Sequence, residues 1–201
     1  MEHITAYQAF FNRFPFLEPK DIELLYNLSV EKEYDAGDQF IKLGTTRKKV
    51  GILKTGLARG YLIKSSGEEV STIFAKEGEI VSTQELIFFN RPSRQIVEFL
   101  EPSTVLVFDY DEIAALGEDH PNIEQLKTQF IHDFLVKVLH RLETFLVLTP
   151  EERYIWLTEK EPSLLQRVQQ RHLASFLGVT PVSLSRLRSR MSKKGQAKQK
   201  K

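Results

Sequence analysis

The spacing of apolar residues changes twice along the chain. Up to about residue 30, and again beyond about residue 110, apolar residues recur at every third or fourth position, which is typical of amphipathic helices. Between about residues 33 and 109, short runs such as VGILKTG and TVLVFDY are separated by glycine-bearing turns and predict β-strands. Many short strands in succession favour a closed or two-layer antiparallel sheet, such as a jelly roll. The predicted fold class is therefore α+β.

One predicted helix is much longer than the others. It begins at Pro121, ends before Pro150 and carries two neighbouring apolar rows. The first row contains Ile123, Leu126, Phe130, Phe134, Val138, either Arg141 or Leu142, and Phe145. The second row contains Ile131, Leu135, Leu139, Leu142 and Leu146. Because two rows must cover two surfaces, we expect one row against the helix's own domain and the other against a second copy in a homodimer. A single buried helix is the alternative.

Helix start and stop signals divide the last quarter of the chain. In TPEERY, Thr149 as N-cap, Pro150 at the first helical position and Glu152 at the third form a capping box. Farther along, HLASFLG predicts a helix that ends at Gly178, and Thr180 is the N-cap of the next helix. Two helices joined by the tight turn LGVT have the spacing of a helix-turn-helix.

The second helix of this pair has one apolar and one polar face. On a helical wheel, Leu184, Leu187 and Met191 form the buried stripe, and the opposite face carries serines and arginines. Such a helix fits the major groove of DNA, where arginine can bond guanine and a serine hydroxyl can reach bases or phosphates. The alternative is a solvent-exposed helix whose cations are favoured by the helix dipole. The candidate DNA-binding residues are Thr180, Val182, Ser183, Ser185, Arg186, Ser189 and Arg190.

Charge is distributed unevenly between these parts. Residues 1–148 carry 16 basic and 23 acidic side chains, for a net charge of −7, whereas residues 149–201 carry 12 and 4, for a net charge of +8. A basic block attached to an acidic one indicates that only the C-terminal part meets a polyanion. Five of its lysines lie in residues 193–201, which we expect to be a disordered basic tail.

Several function classes lack the residues they need. Cysteine is absent, which excludes disulfides, thiolate nucleophiles and iron–sulfur clusters. The sequence contains no nucleophile elbow, no phosphate loop with lysine and no clustered histidines, so we expect no enzyme, no catalytic residues and no metal ligands. No run reaches the roughly 18–20 apolar residues that span a bilayer. Since no signal-peptide pattern is present either, we expect a cytoplasmic protein without membrane contact.

Four segments, taken together, resemble the CRP/FNR family of bacterial transcription regulators, in a short form common in Bacteroidetes. They are YDAGDQFIKLG (34–44), ILKTGLARGYLIKSSGEE (52–69), AKEGEIV (75–81) and HLASFLGVTPVSLSRLRSRM (172–191). The resemblance implies a cyclic-nucleotide-binding β-roll in a sensor domain (1–118), a dimerisation helix (119–148), a winged helix-turn-helix (149–192) and the basic tail (193–201). Its implied partners are double-stranded DNA with a near-palindromic operator, a second copy of the chain, and RNA polymerase as a candidate.

The nucleotide site of this family is matched only in part. Members that bind cyclic AMP use a Gly-Glu pair, whose Glu holds the ribose hydroxyl, and an Arg-Ser or Arg-Thr pair that grips the cyclic phosphate. Ungapped alignment places Ser82 and Thr83 at the first pair and Ser93 with Arg94, in reversed order, at the second. A gap of about two residues would instead bring Glu85 and Arg94 into the site.

We therefore expect a degenerate ligand site formed by Ser82, Thr83, Glu85, Ser93 and Arg94. No cofactor is certain, and cyclic AMP or another small molecule is the candidate effector. In the DNA-reading helix only Arg186 matches a base-contacting position of the family. The alternative function is a cyclic-nucleotide-binding regulatory module that acts through protein partners without DNA, and such a module would not need the basic C-terminal block.

Overall fold

The computed structural model of the chain describes residue 11 and residues 13–198, with side chains as far as residue 191. The first ten residues, for which the sequence predicts a helix, lie outside this range. The strands are β1 (Val30–Tyr34), β2 (Gln39–Ile41), β3 (Lys49–Thr55), β4 (Ala58–Ile63), β5 (Glu69–Ala75), β6 (Ile80–Val81), β7 (Ile96–Phe99) and β8 (Ser103–Asp109). The helices are α1 (Pro19–Leu28), α2 (Gln84–Ile87), α3 (Tyr110–Asp119), α4 (Pro121–Val147), α5 (Pro150–Lys160), α6 (Pro162–Arg167), α7 (Gln170–Leu177) and α8 (Pro181–Lys198).

The strands form two four-stranded sheets. Their strand orders are β1-β8-β3-β6 and β2-β7-β4-β5, so sequence neighbours are repeatedly separated by crossovers. In the first sheet β8 pairs antiparallel with both β1 and β3, and Val107 lies opposite Val30 on one side and Gly51 on the other. This arrangement confirms the expected α+β class with a β-roll.

Apolar side chains from both sheets form the core of the roll. Ile41, Leu53, Phe99 and Val105 are among its fully buried members. A side chain at Gly51 could not be accommodated there, because a Cβ would lie 2.6 Å from Val105 Cγ1, well inside van der Waals contact. The absence of a side chain at this strand position therefore allows the roll to close.

A second buried cluster joins α1 and the first turns of α4 to the outer face of β8. Phe14 of the segment before α1 packs edge-on against Phe130 of α4, with 5.3 Å between ring centroids. The Asp21 carboxylate accepts hydrogen bonds from the Glu18 backbone N–H (2.9 Å) and from Asn122 Nδ2 (2.8 Å). Asp21 thus caps α1 and ties it to the start of α4.

The long helix α4 has the extent that its two flanking prolines predict. Its first apolar row begins buried, with Ile123 at 0% and Leu126 at 4% exposure. The second row is exposed in the single chain: Ile131 43%, Leu135 51%, Leu139 48%, Leu142 53% and Leu146 75%. No helix in the described part of the chain is long and apolar enough to cross a membrane.

The described residues divide into two compact units. One unit contains the described residues up to 60 together with 74–137, and the other contains residues 61–73 together with the described residues from 138 onward. Residues 61–73, the tip of the β4–β5 hairpin, therefore group with the C-terminal helices. Sequence patterns could not indicate this, because the hairpin reads locally as two ordinary strands.

Two expectations for the C-terminal part need correction. Among the described residues beyond 149 the structure contains helices and no strand, so the wing implied by the family resemblance is missing from that range. The helix α8 also continues to Lys198, through most of the range expected to be a disordered tail. Lysine, glutamine and alanine are good helix formers, which explains why the helix does not end at residue 192. Residues 199–201 lie outside the described residues.

Candidate nucleic-acid interface and effector site

Helices α7 and α8 form a tightly connected pair. Gly178 ends α7 in the left-handed conformation (φ +71°), and its backbone N–H bonds back into the last turn of the helix. The Val179 N–H donates to the Ala174 carbonyl (2.9 Å), which completes the turn. Leu173, Leu177 and Leu184 are each at most 2% exposed and lie between the helices. These contacts confirm the predicted helix end at Gly178.

The N-terminus of α8 is capped by Thr180, as its sequence predicts. The Thr180 hydroxyl accepts from the Ser183 N–H (3.1 Å) and lies 2.9 Å from Ser183 Oγ. Both hydroxyls are therefore engaged with each other. The structure gives Thr180 a capping role, and its hydroxyl is already engaged with Ser183 at the start of the helix.

The faces of α8 are divided as the helical wheel predicts at Leu184 and Leu187, whereas Met191, expected in the same buried stripe, is only half-buried. Leu184 and Leu187 are buried (0% and 5% exposed), whereas Val182, Ser183, Ser185, Arg186, Ser189 and Arg190 are all exposed. Ser183, Arg186, Ser189 and Arg190 line a shallow, open part of this face. The face thus presents hydroxyls and guanidinium groups together, the donors that phosphates and guanine edges accept from.

The two arginines of this face differ in their surroundings. Arg190 Nη2 lies 3.4 Å from Glu151 Oε2, at the start of α5. Arg186 makes no hydrogen bond or ion pair with any described residue, so its guanidinium is available to a ligand. Glu151 was not a candidate in the sequence, since an acidic residue in a first helical turn is ordinary there. Its proximity to Arg190 arises only when α5 and α8 pack.

Helix α5 begins with the capping box that its sequence predicts. The Glu152 N–H donates to the Thr149 hydroxyl (3.3 Å), and the Glu152 carboxylate accepts from the Thr149 N–H (2.7 Å). The carboxylate accepts from the Thr149 hydroxyl as well (2.8 Å), and because the bonds from the Thr149 N–H and hydroxyl favour the ionised carboxylate, they lower the pKa of Glu152. The capped start fixes where α5 follows α4.

Four of the five candidate effector-site residues lie together in the roll. Glu85, on the short helix α2, is 4% exposed, and its Oε1 accepts from Arg94 Nε at 3.4 Å. The Ser93 hydroxyl lies 3.0 Å from Thr83 Oγ1, and both residues are buried. Ser82 is directed elsewhere, because its hydroxyl donates to the Lys49 carbonyl of β3 (2.9 Å).

The Glu85–Arg94 pair leaves one polar atom unused. Glu85 Oε2 is buried and has no hydrogen-bond partner among the described residues. A buried acceptor without a partner is unfavourable, so this oxygen could receive a hydroxyl or another donor from a ligand. Arg94 is the only cation in this set, and its side chain is 83% exposed. The set therefore fits a ribose hydroxyl at Glu85 better than it fits an enclosed cyclic phosphate.

In the described residues no group of three His, Asp or Glu side chains converges as a metal site.

Comparison with known proteins gives a family profile and a set of related folds. Residues 31–120 match the profile of the cyclic nucleotide-binding domain. FixK2 from Bradyrhizobium japonicum superimposes with a TM-score of 0.72 at 17% identity, over 83% of this chain and 86% of that protein. The regulator CLP from Xanthomonas campestris, described as c-di-GMP responsive, gives 0.72 at 16% identity, over 89% and 93%.

A protein from Eubacterium rectale assigned to the CRP/FNR family of transcriptional regulators gives a TM-score of 0.73 at 12% identity, over 93% of this chain and 89% of that one. No curated protein matches the chain significantly in sequence. At these identities the structural matches establish a shared fold. They confirm the resemblance drawn from the glycine-bearing strand segments and the paired C-terminal helices.

Proposed function

The chain carries a cyclic nucleotide-binding domain and has the fold of CRP/FNR regulators, and from this premise we propose that it is a dimeric, DNA-binding transcription regulator. The observation that carries the proposal is the exposed face of α8. It presents Arg186 without an internal partner, beside serine hydroxyls, on a helix held by a tight turn against α7. A regulatory module that acted only on proteins would have no use for such a face.

In this proposal α8 enters the major groove of DNA. Arg186 bonds the O6 and N7 of a guanine, Ser185 and Ser189 reach bases or phosphates, and Val182 touches a thymine methyl group. Arg188, which is exposed beside the buried stripe, contacts a phosphate. Phosphate contacts supply most of the affinity, so binding weakens steeply as salt is added.

The exposed second row of α4 is proposed as the contact with a second copy of the chain. Five apolar side chains in one row, each at least 43% exposed, are costly to leave in water. A two-fold axis parallel to the helix would cover the row on both copies at once. The operator is then a near-palindrome whose half-sites lie about 34–36 Å apart, and RNA polymerase is a candidate partner on such promoters.

We further propose that the nucleotide site of the roll is degenerate. Arg94 is paired with Glu85 and exposed to solvent, so a cyclic phosphate would have to compete with a carboxylate for the only cation of the set. Titration calorimetry with cyclic AMP and with cyclic GMP is expected to show no binding in the micromolar range. Heat of binding that Arg94→Gln abolishes would contradict the degenerate site and would assign the cation to the phosphate.

DNA binding is tested by selection from a random-sequence duplex library, followed by titration of the selected operator and of a random duplex. Arg186→Ala is expected to cost about 1–3 kcal/mol on the operator and to relax one base preference in each half-site. Arg188→Ala is the matched control on the same helix, and it should weaken both duplexes alike. If Arg186→Ala lost the same binding free energy on both duplexes, Arg186 would not be a base-reading residue. If the wild-type protein selected no sequence, the proposed function would be refuted.

A further inference from the structure

Arg141 lies near the end of α4, where three segments of the chain meet its guanidinium. Arg141 Nη2 donates to the Phe176 carbonyl of α7 (3.0 Å) and to the Ser71 carbonyl of β5 (3.2 Å). The same group stacks 3.9 Å from the centroid of the Phe176 ring and 4.8 Å from that of Phe145. One side chain therefore joins α4, α7 and the β4–β5 hairpin.

A second arginine extends this arrangement. The Arg153 guanidinium of α5 lies 4.3 Å from the centroid of the Phe145 ring, and its Nε donates to the Leu177 carbonyl (3.1 Å). Its Nη1 donates to the Leu148 carbonyl (2.7 Å), between α4 and α5. Rings and guanidinium groups thus form an arginine–phenylalanine cluster of Arg141, Phe145, Arg153 and Phe176.

The cluster satisfies groups that α7 leaves without partners. The last carbonyls of a helix have no intrahelical donor, and cations are favoured at that end. Arg141 and Arg153 bond the carbonyls of the last two residues of α7, Phe176 and Leu177. A side chain at Gly178 would displace the cluster, since its Cβ would lie 2.9 Å from Phe145 Cε1. The helix end therefore fits closely against α4.

Ser175 of α7 makes the corresponding bonds with the hairpin. Its hydroxyl accepts from the Ser71 N–H (2.8 Å) and donates to the Glu69 carbonyl (3.1 Å). These are the two backbone groups through which a neighbouring strand would pair with β5. The helix thus takes the place of a strand at this position, and residues 61–73 form one compact unit with residues 138–201.

We propose that Arg141 is a positioning residue, which fixes the α7–α8 pair against the end of α4 and the β4–β5 hairpin and so sets the angle at which α8 meets DNA. The inference rests on the proposed function. Burial, and secondarily the charge of Arg153, lower the pKa of Arg141 to about 10, so the guanidinium stays cationic in the neutral range. Its stacking and both of its hydrogen bonds are thus present under ordinary conditions.

A dimer with rigidly placed recognition helices tolerates only one distance between half-sites, and this supplies the first test. The full-length protein is titrated with its selected operator and with a version carrying about 5 bp more between the half-sites, half a helical turn. The wild-type protein should discriminate strongly between the two. Arg141→Gln should reduce that discrimination about tenfold to a hundredfold, the effect of losing charge-assisted hydrogen bonds.

Lys137→Gln is the matched control, because Lys137 lies one turn earlier on α4 and pairs with Glu79 (2.6 Å) away from the cluster. It should leave the spacing discrimination unchanged. Arg141→Lys keeps the positive charge without the planar guanidinium, so it should retain only part of the wild-type spacing discrimination. Unchanged discrimination in Arg141→Gln, or an equal loss in Lys137→Gln, would overturn the positioning role.

Amide hydrogen exchange of the DNA-free protein tests the same inference independently of DNA binding. The Ser71 N–H bonds the Ser175 hydroxyl, so its exchange rate reports directly on the contact between α7 and the hairpin. In Arg141→Gln this amide should exchange about tenfold to a hundredfold faster, while amides of β8 in the roll keep their rates.

If the Ser71 rate does not change, the inference is wrong even where the operator experiments succeed. If the wild-type protein selects no DNA, the proposed function fails, and this exchange rate alone decides whether Arg141 holds α7. Should Arg141→Gln fail to fold, Arg141→Lys, which keeps the charge without the planar fork, gives the same two readouts.

Discussion

Replacing Leu139 by alanine tests the dimer at the middle of the exposed row of α4. The side chain is 48% exposed in the single chain. Burying a whole leucine side chain contributes about 1.5–3 kcal/mol, so covering the remaining half contributes about 1 kcal/mol per copy. A symmetric dimer contains the residue twice. Leu139→Ala should therefore weaken association by about 2 kcal/mol, which raises the dissociation constant about thirtyfold.

Sedimentation equilibrium over a range of protein concentrations measures this constant directly. Leu43→Ala is the control, because Leu43 is also exposed (61%) but lies on the roll after β2. It should leave the constant unchanged. A wild-type protein that stays monomeric at tens of micromolar, or a Leu139→Ala protein that associates as tightly as wild type, would refute the assignment of this row to a second copy.

Two further predictions concern the roll and the tail. Gly51→Ala places a Cβ 2.6 Å from Val105 Cγ1. Such overpacking should lower the free energy of unfolding, measured by urea denaturation, by about 1–3 kcal/mol. An unchanged denaturation midpoint would mean that the strands are not this close. Deleting residues 193–201 should weaken binding to the operator and to random DNA alike and should lower the salt dependence of both. A loss confined to the operator would instead give the tail a role in reading sequence.

The elements that the sequence predicts well are those whose signals are local. The capping box at Thr149 uses residues three positions apart, and the end of α7 needs only one glycine in the left-handed region. The long helix is limited by Pro121 and by Pro150, so its extent could be predicted closely. The exposed face of α8 followed from a simple wheel, because Leu184 and Leu187 alone fix which side is buried.

The contacts of Arg141 could not be predicted in this way. Its two carbonyl partners lie 70 and 35 positions away in the chain, in a strand and in a helix that carry no signal for each other. The grouping of residues 61–73 with the C-terminal helices was missed for the same reason. In the roll, ungapped alignment favoured Ser82, whereas the folded helical turn of α2 brings Glu85 to Arg94. Register within a short loop depends on packing that spacing alone does not encode.

The net charge of +8 in residues 149–201 does not translate directly into DNA contacts, because the arginines differ in their surroundings. Arg153 is occupied by two carbonyls and a ring, and Arg190 lies beside Glu151. Arg186 and Arg188 are exposed and form no ion pair with a described residue. Because the salt dependence of DNA binding counts the phosphates that are neutralised, and Arg186 bonds a base in the proposed complex, Arg188 is the arginine of α8 that should contribute to the slope of the protein without residues 193–201. The charge of the whole block therefore overstates the number of phosphate contacts that α8 makes.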